Sequence, residues 1–371
     1  MTATTHESHG TGHDDHGHDH DHPAWLAHHF DDAEQQFDSG KLGMWLFLVT
    51  EVLFFSGMFC AYALLRSLNP EVFSYCSAFL NEKLGAINTG VLLFSSLTMA
   101  WAVRAAQLSQ HRLLVALLGA TLGCAAMFLG VKTVEYSHKW DLGLLPGMLY
   151  QAQVTHPEHH AIPTALPYLQ APGVVLLVGF ALYWLWALMK RNDLHLQIAG
   201  PLAVAAACYI GGAFLGLKLE ESAEHAATAA HGAHDHADHA DHADHASAGT
   251  AVAGATDATA LPVGSEREKL LVPQQSYADQ VAVEKGIEEV ESPSVNQKGR
   301  AGVFFSIYYC MTGIHAIHIL AGMGVIAWLI VKAARKEFHS KYFGPVDNVG
   351  LYWHLVDFIW IYLFPLLYLI K

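Results

Sequence analysis

The stretch Phe47–Tyr62, FLVTEVLFFSGMFCAY, decides the fold. It belongs to a run from Leu42 to Leu65 whose 24 residues contain no Asp, Glu, Lys, Arg or His other than Glu51. That length is enough to cross a bilayer as a helix. A carboxyl group there is costly to ionise, and burial in hydrocarbon favours the neutral acid. Two readings follow from the chemistry. Glu51 is either a protonated acid bonded to a carbonyl or a neighbouring helix, or an acid that works on protons or lipid headgroups.

Outward from this run, six more apolar segments are long enough to span, near 84–103, 113–136, 171–189, 196–217, 302–331 and 349–370. Hydrocarbon cannot satisfy backbone polar groups, so each is expected to be a helix. The predicted fold class is therefore all-α, a polytopic transmembrane helix bundle of seven spans. The formal charge of −14 belongs to two appendages, residues 1–40 and 218–300, each of net charge −9; the remainder is mildly basic. The organisation read from composition is a His/Asp-rich tail over 1–40, spans over 41–137, an outer loop with two spans over 138–217, a His/Asp-rich loop over 218–300, and two spans over 301–371. Both His/Asp-rich segments are too polar to offset chain entropy and are expected to be largely disordered, with a short surface helix within 262–298 as a further reading.

Lys and Arg concentrate in alternate short connectors: Arg104 and Arg112, Lys190 and Arg191, then Lys332, Arg335, Lys336 and Lys341. These define a cytoplasmic side, which puts the N-terminus inside, and the C-terminus and loop 218–300 outside. The polar N-terminus lacks the pattern of an ordinary secretory signal peptide. No C-x-x-C pair occurs among the five cysteines, so neither a zinc ribbon nor a redox dithiol is indicated, and Cys76 reads as a lone loop residue.

Protonatable groups inside spans are few: Glu51, Lys132 with Glu135, His315 with His318, and His354 with Asp357. The last three sets are spaced i, i+3, so the members of each share a helix face. Mutual neutralisation, or hydrogen bonding between helices, is the plain structural reading of each. Lys132 and Glu135, at the outer end of their span, read as an ion pair. H-x-x-H alone is weak evidence for haem ligation. Seven histidines lie between His225 and His245, and imidazole suits Zn, Cu and Ni. Weak surface capture of metal at His234, His236, His239, His242 and His245 is one reading of that loop; a solvated linker is the other. A His-rich-loop metal transporter would need facing ligands along a path through the spans, and the helices bordering the loop offer only His315 and His318. The acidity of the soluble segments argues against nucleic-acid binding.

The segments TEVLFFSGMF, INTGVLLFSSLTMAWA, GVKTVEY, TGIHAIHILAGMG and LYWHLVDFIWIYLFPLLY occur in the order found in subunit III of the haem–copper oxidases, and together the chain resembles cytochrome c oxidase subunit III over five spans. The resemblance implies a five-helix core with two inserted helices, 171–189 and 196–217, packed on its outside. It implies that Glu51 is the family's buried glutamate beside a phospholipid cleft, and that His28 and His29 stand near lipid headgroups. Asn88, Thr89, Trp101, Glu135, His315, His318, Asp347, Trp353, His354 and Asp357 match family positions. The implied function is a non-catalytic subunit of a proton-pumping terminal oxidase in a bacterial-type plasma membrane, supporting lipid retention, proton uptake and stability. Haem and copper would sit in partner subunits, with no cofactor on this chain beyond phospholipid. Subunit I is the main implied partner, with subunit II and other respiratory-chain subunits beside it. A quinol oxidase or a nitric oxide reductase homologue is the alternative setting.

Overall fold

The computed structural model describes residues 30, 32–77, 79–150, 166–241 and 295–370. These carry α1 (Ala33–Leu68), α2 (Pro70–Ser77), α3 (Glu82–Gln107), α4 (His111–Asp141), α5 (Leu166–Met189), α6 (Asp193–Asp241), α7 (Val295–Ala334) and α8 (Gly344–Phe364). All but α2 are long and apolar enough to cross a membrane, and no strand occurs among the described residues. The seven predicted spans therefore stand.

Helix ends follow local chemistry. Asp32 caps α1 by accepting from the Gln35 amide at 2.7 Å, and Asn81 caps α3 by accepting from the amides of Lys83 and Leu84. Because α1 begins at Ala33, it takes in the end of the predicted tail, with Lys41 two turns in and Arg66 in its last turn. The boundary drawn at 218 is also corrected, since α6 continues as helix to Asp241. Its final stretch is rich in alanine, the strongest helix former, so propensity carries the helix beyond the apolar span, which ends by Ser222. His28, His29 and the segment 242–294 lie outside the described residues.

The short helix α2 was not foreseen. Pro70 opens it, and its Val72, Phe73, Tyr75 and Cys76 are buried. Phe73 meets Phe304 of α7 edge to face, with ring centroids 5.2 Å apart. Cys76 is thus a core residue rather than a loop residue, and burial pushes its thiol well above the ordinary range.

The bundle is organised around α4, the most buried of the spans. Helices α3, α6 and α7 pack against it, α5 packs on α6, α8 joins α3 to α7, and α1 packs on α8. The inserted pair α5–α6 was expected to sit outside the core. α6 packs directly on α4 and contributes Ile198 and Ala205 to the core. A Cβ added at Gly130 would collide with the Tyr209 carbonyl, and one at Gly212 with the Met127 carbonyl. Small residues permit such contact in hydrocarbon, where dispersion and packing drive helix association.

Candidate functional site

Glu51 is not solitary. Its Oε2 lies 3.0 Å from Nε2 of His318 on α7, and the two side chains are roughly four-fifths enclosed. The other ring nitrogen, Nδ1, lies 2.8 Å from the Ile314 carbonyl one turn earlier. A carbonyl oxygen only accepts, so Nδ1 carries a proton. One further proton then bridges Nε2 and Oε2. Either the neutral acid donates to neutral imidazole, or the imidazolium donates to the carboxylate. Both forms have zero net charge. Phe55 edges onto the His318 ring, and Tyr352 donates to the His318 carbonyl at 2.9 Å, which fixes the site between α1, α7 and α8.

Of the three i, i+3 pairs, one bonds internally, and members of the other two bond to neighbouring helices. Lys132 donates to Glu135 Oε2 at 2.7 Å. His315 and His318 point to different neighbours instead. Successive helix residues turn by about 100°, so residues three apart are offset by roughly 60° and can serve different contacts. His315 stacks on Trp360 and edges onto Phe128, and both its ring nitrogens are buried without a hydrogen-bond partner. His354 and Asp357 likewise turn away from each other towards α3. His354 Nδ1 lies 2.6 Å from Ser96 Oγ, and Asp357 Oδ2 lies 3.5 Å from Ser95 Oγ, which also accepts from Trp353 at 3.0 Å.

Glu135 forms a second polar site with more partners than the spacing suggested. Besides Lys132, Lys139 donates to Oε1 at 2.8 Å, Tyr308 donates at 2.7 Å, and Tyr368 donates as well. Lys132 also lies 4.7 Å from the centroid of the Trp360 ring. Two ammonium groups therefore share one carboxylate in a fully enclosed setting, where the hydrogen bonds and aromatic faces compensate for lost water. Lys139 was legible as the i+4 neighbour of Glu135. Tyr308 and Tyr368 were not, because distant spans bring them in.

Where α1 begins, it and the segment before α8 enclose a cleft of about 440 Å³ lined by Phe30, Phe37, Gly40, Lys341, Tyr342 and Asn348, among others. Lys41 pairs with Asp347 at 3.1 Å, and Phe37 packs on Phe343. Asn348 Oδ1 is buried there without a partner. Among the described residues no group of three or more His, Cys, Asp or Glu is placed to hold a metal ion. His234, His236 and His239 fall on the backbone of α6, whereas His242 and His245 lie outside the described residues.

The geometry can be set beside known proteins. The family model for cytochrome c oxidase subunit III matches residues 26–142 and 284–371, more than half of the chain, and omits α5 and α6. A cytochrome c oxidase subunit 3 from Thermostichus vulcanus is 38% identical over 72 residues, 19% of this chain and 36% of that protein. A heme-copper oxidase subunit I+III from Aeropyrum pernix is 35% identical over 71 residues, 19% of this chain and 9% of that protein. A probable quinol oxidase subunit 3 from Staphylococcus haemolyticus is 34% identical over 70 residues, 19% of this chain and 34% of that protein. The alignments thus span about a third of the two shorter relatives. No solved structure matches the chain. The family segments supply α1, α4, α7 and α8, and with them Glu51, His318 and the Glu135 cluster, so this chain belongs to the cytochrome c oxidase subunit III family.

Proposed function

We propose that this chain is the non-catalytic third subunit of a proton-pumping haem–copper terminal oxidase, retaining lipid and supporting proton uptake and durability of the catalytic subunit. Haem and copper belong to partner subunits in this reading. The observation that carries it is the Glu51–His318 contact, built by helices inside the two family-matching segments. A pair that can shift a proton without changing net charge suits a proton-handling role inside hydrocarbon. The cleft supports the lipid role, because it sets aromatic walls beside Lys341 and the buried Asn348 Oδ1 at one end of the spans. The fusion named in the Aeropyrum relative supports subunit I as the neighbour.

Affinity purification of the tagged chain from its native membrane tests the assignment. The expected result is a complex containing a haem-bearing subunit I and a subunit II, with phospholipid retained. Recovery of the chain without any haem protein would overturn it. The quinol oxidase reading draws on the Staphylococcus relative, and oxidation of reduced cytochrome c against quinol by the purified complex separates the two.

A further inference from the structure

His354 occupies the middle of α8, halfway across the bundle, and is half-buried. Its Nδ1 is held by Ser96 of α3. Its Nε2 has no hydrogen-bond partner among the described residues, and protein does not enclose it. Around it the surface is apolar: Leu93, Phe94 and Leu97 of α3, with Phe358 and Ile361 of α8, are all exposed. We propose that this face of α3 and α8, centred on His354, docks against the catalytic subunit of the oxidase, which supplies a hydrogen-bonding group to Nε2.

The proposal rests on the oxidase assignment above and adds the surface by which the chain attaches. Acyl chains offer nothing to an imidazole nitrogen, and water is excluded at this depth, so a lipid-facing His354 would leave a polar atom uncompensated. A protein neighbour removes that penalty. Two exposed hydroxyls of α1, by contrast, bond within their own helix. Thr50 donates to the Phe47 carbonyl and Ser56 to the Leu53 carbonyl. The outward side of α5 offers the contrast expected of a lipid face. Val175, Leu182 and Leu185 are exposed there, and no Ser, Thr, Asn, Gln, His, Asp, Glu, Lys or Arg occurs between Ala171 and Met189. The ring nitrogen at the centre of an apolar patch therefore marks the α3/α8 side as the one completed by another protein.

Single cysteines at Phe94, Leu97 and Phe358, with Val175 and Leu182 as controls, can carry a thiol-attached photo-cross-linker in the assembled oxidase once native cysteines are replaced. The first three should cross-link to the haem-bearing subunit, at least tenfold more efficiently than the α5 controls. Equal or greater yield from α5 overturns the surface, as do adducts from α3 and α8 that join only lipid or a second copy of this chain. In parallel, His354→Leu should lose the chain from the complex several-fold faster during detergent washing, while His354→Gln restores retention. Retention of the leucine variant equal to wild type also overturns it. If the tagged chain recovers no haem protein, the oxidase assignment falls and this surface with it. Cross-linking through α5 leaves the assignment standing and removes the surface alone.

Discussion

Glu51 and His318 meet across two helices at 3.0 Å, and the other ring nitrogen is taken by the Ile314 carbonyl. Hydrocarbon penalises separated charge, so the neutral-acid form is expected to prevail. Infrared difference spectra of the purified complex should then contain a protonated-carboxyl band that disappears in Glu51→Gln and shifts in His318→Leu. A band absent from the wild type would show the charged form instead. Glu135 answers differently to the same substitution, because Glu135→Gln leaves Lys132 and Lys139 enclosed without their counter-ion. Removing one partner of a buried ion pair costs about 3–5 kcal/mol, and the loss should appear as a lowered unfolding midpoint or failed insertion. Cys76 gives a milder check. With its thiol buried and pushed up by that burial, it should stay unmodified by maleimide until the protein unfolds. The importance of Glu51 was legible from its isolation in an apolar run, but its partner was not. His318 lies 267 residues away, on a helix whose pairing with α1 no run length reveals.

The seven spans could be read from apolar run length alone, since a bilayer imposes that length on every crossing helix. What run length could not supply were features set by other forces. The alanine-rich continuation of α6 follows helix propensity, and α2 is held by tertiary contacts that a segment of eight residues does not advertise. The α4–α6 seam was half legible, in the abundance of glycine and alanine in both runs, but which glycines meet which carbonyls depends on register. A bulky residue at that seam should force the helices apart. Gly130→Leu and Gly212→Leu are each expected to destabilise the bundle by about 1–3 kcal/mol or more. Thermal unfolding of the purified complex measures the loss, and Gly211→Leu is a fitting control because a Cβ there meets nothing within 4 Å.

Across the whole molecule, inserting two helices returns the chain to the side it left, so α7 and α8 keep the orientation that the basic connectors assign them. A cysteine at Ser222 should react with a membrane-impermeant reagent in intact cells, and one at Asn192 should not, in a background lacking the native cysteines. The reverse pattern would invert the topology. The insertion explains why a five-span core resemblance and a seven-span chain coexist, with the matched segments ending at residue 142 and resuming at 284.

The α4–α6 seam also has a consequence in time. Gly130 and the Tyr209 carbonyl that fits against it are separated by about 80 residues of chain. At synthesis rates of about 5–20 residues per second, α4 waits roughly 4–16 seconds in the membrane before its partner emerges from the ribosome. During that interval its glycine flank is open to any other small-residue helix nearby. The nascent chain therefore passes through a stage in which an insertase or chaperone guarding α4 would raise the yield of correctly paired subunit, and slowing translation between residues 142 and 193 should lower it.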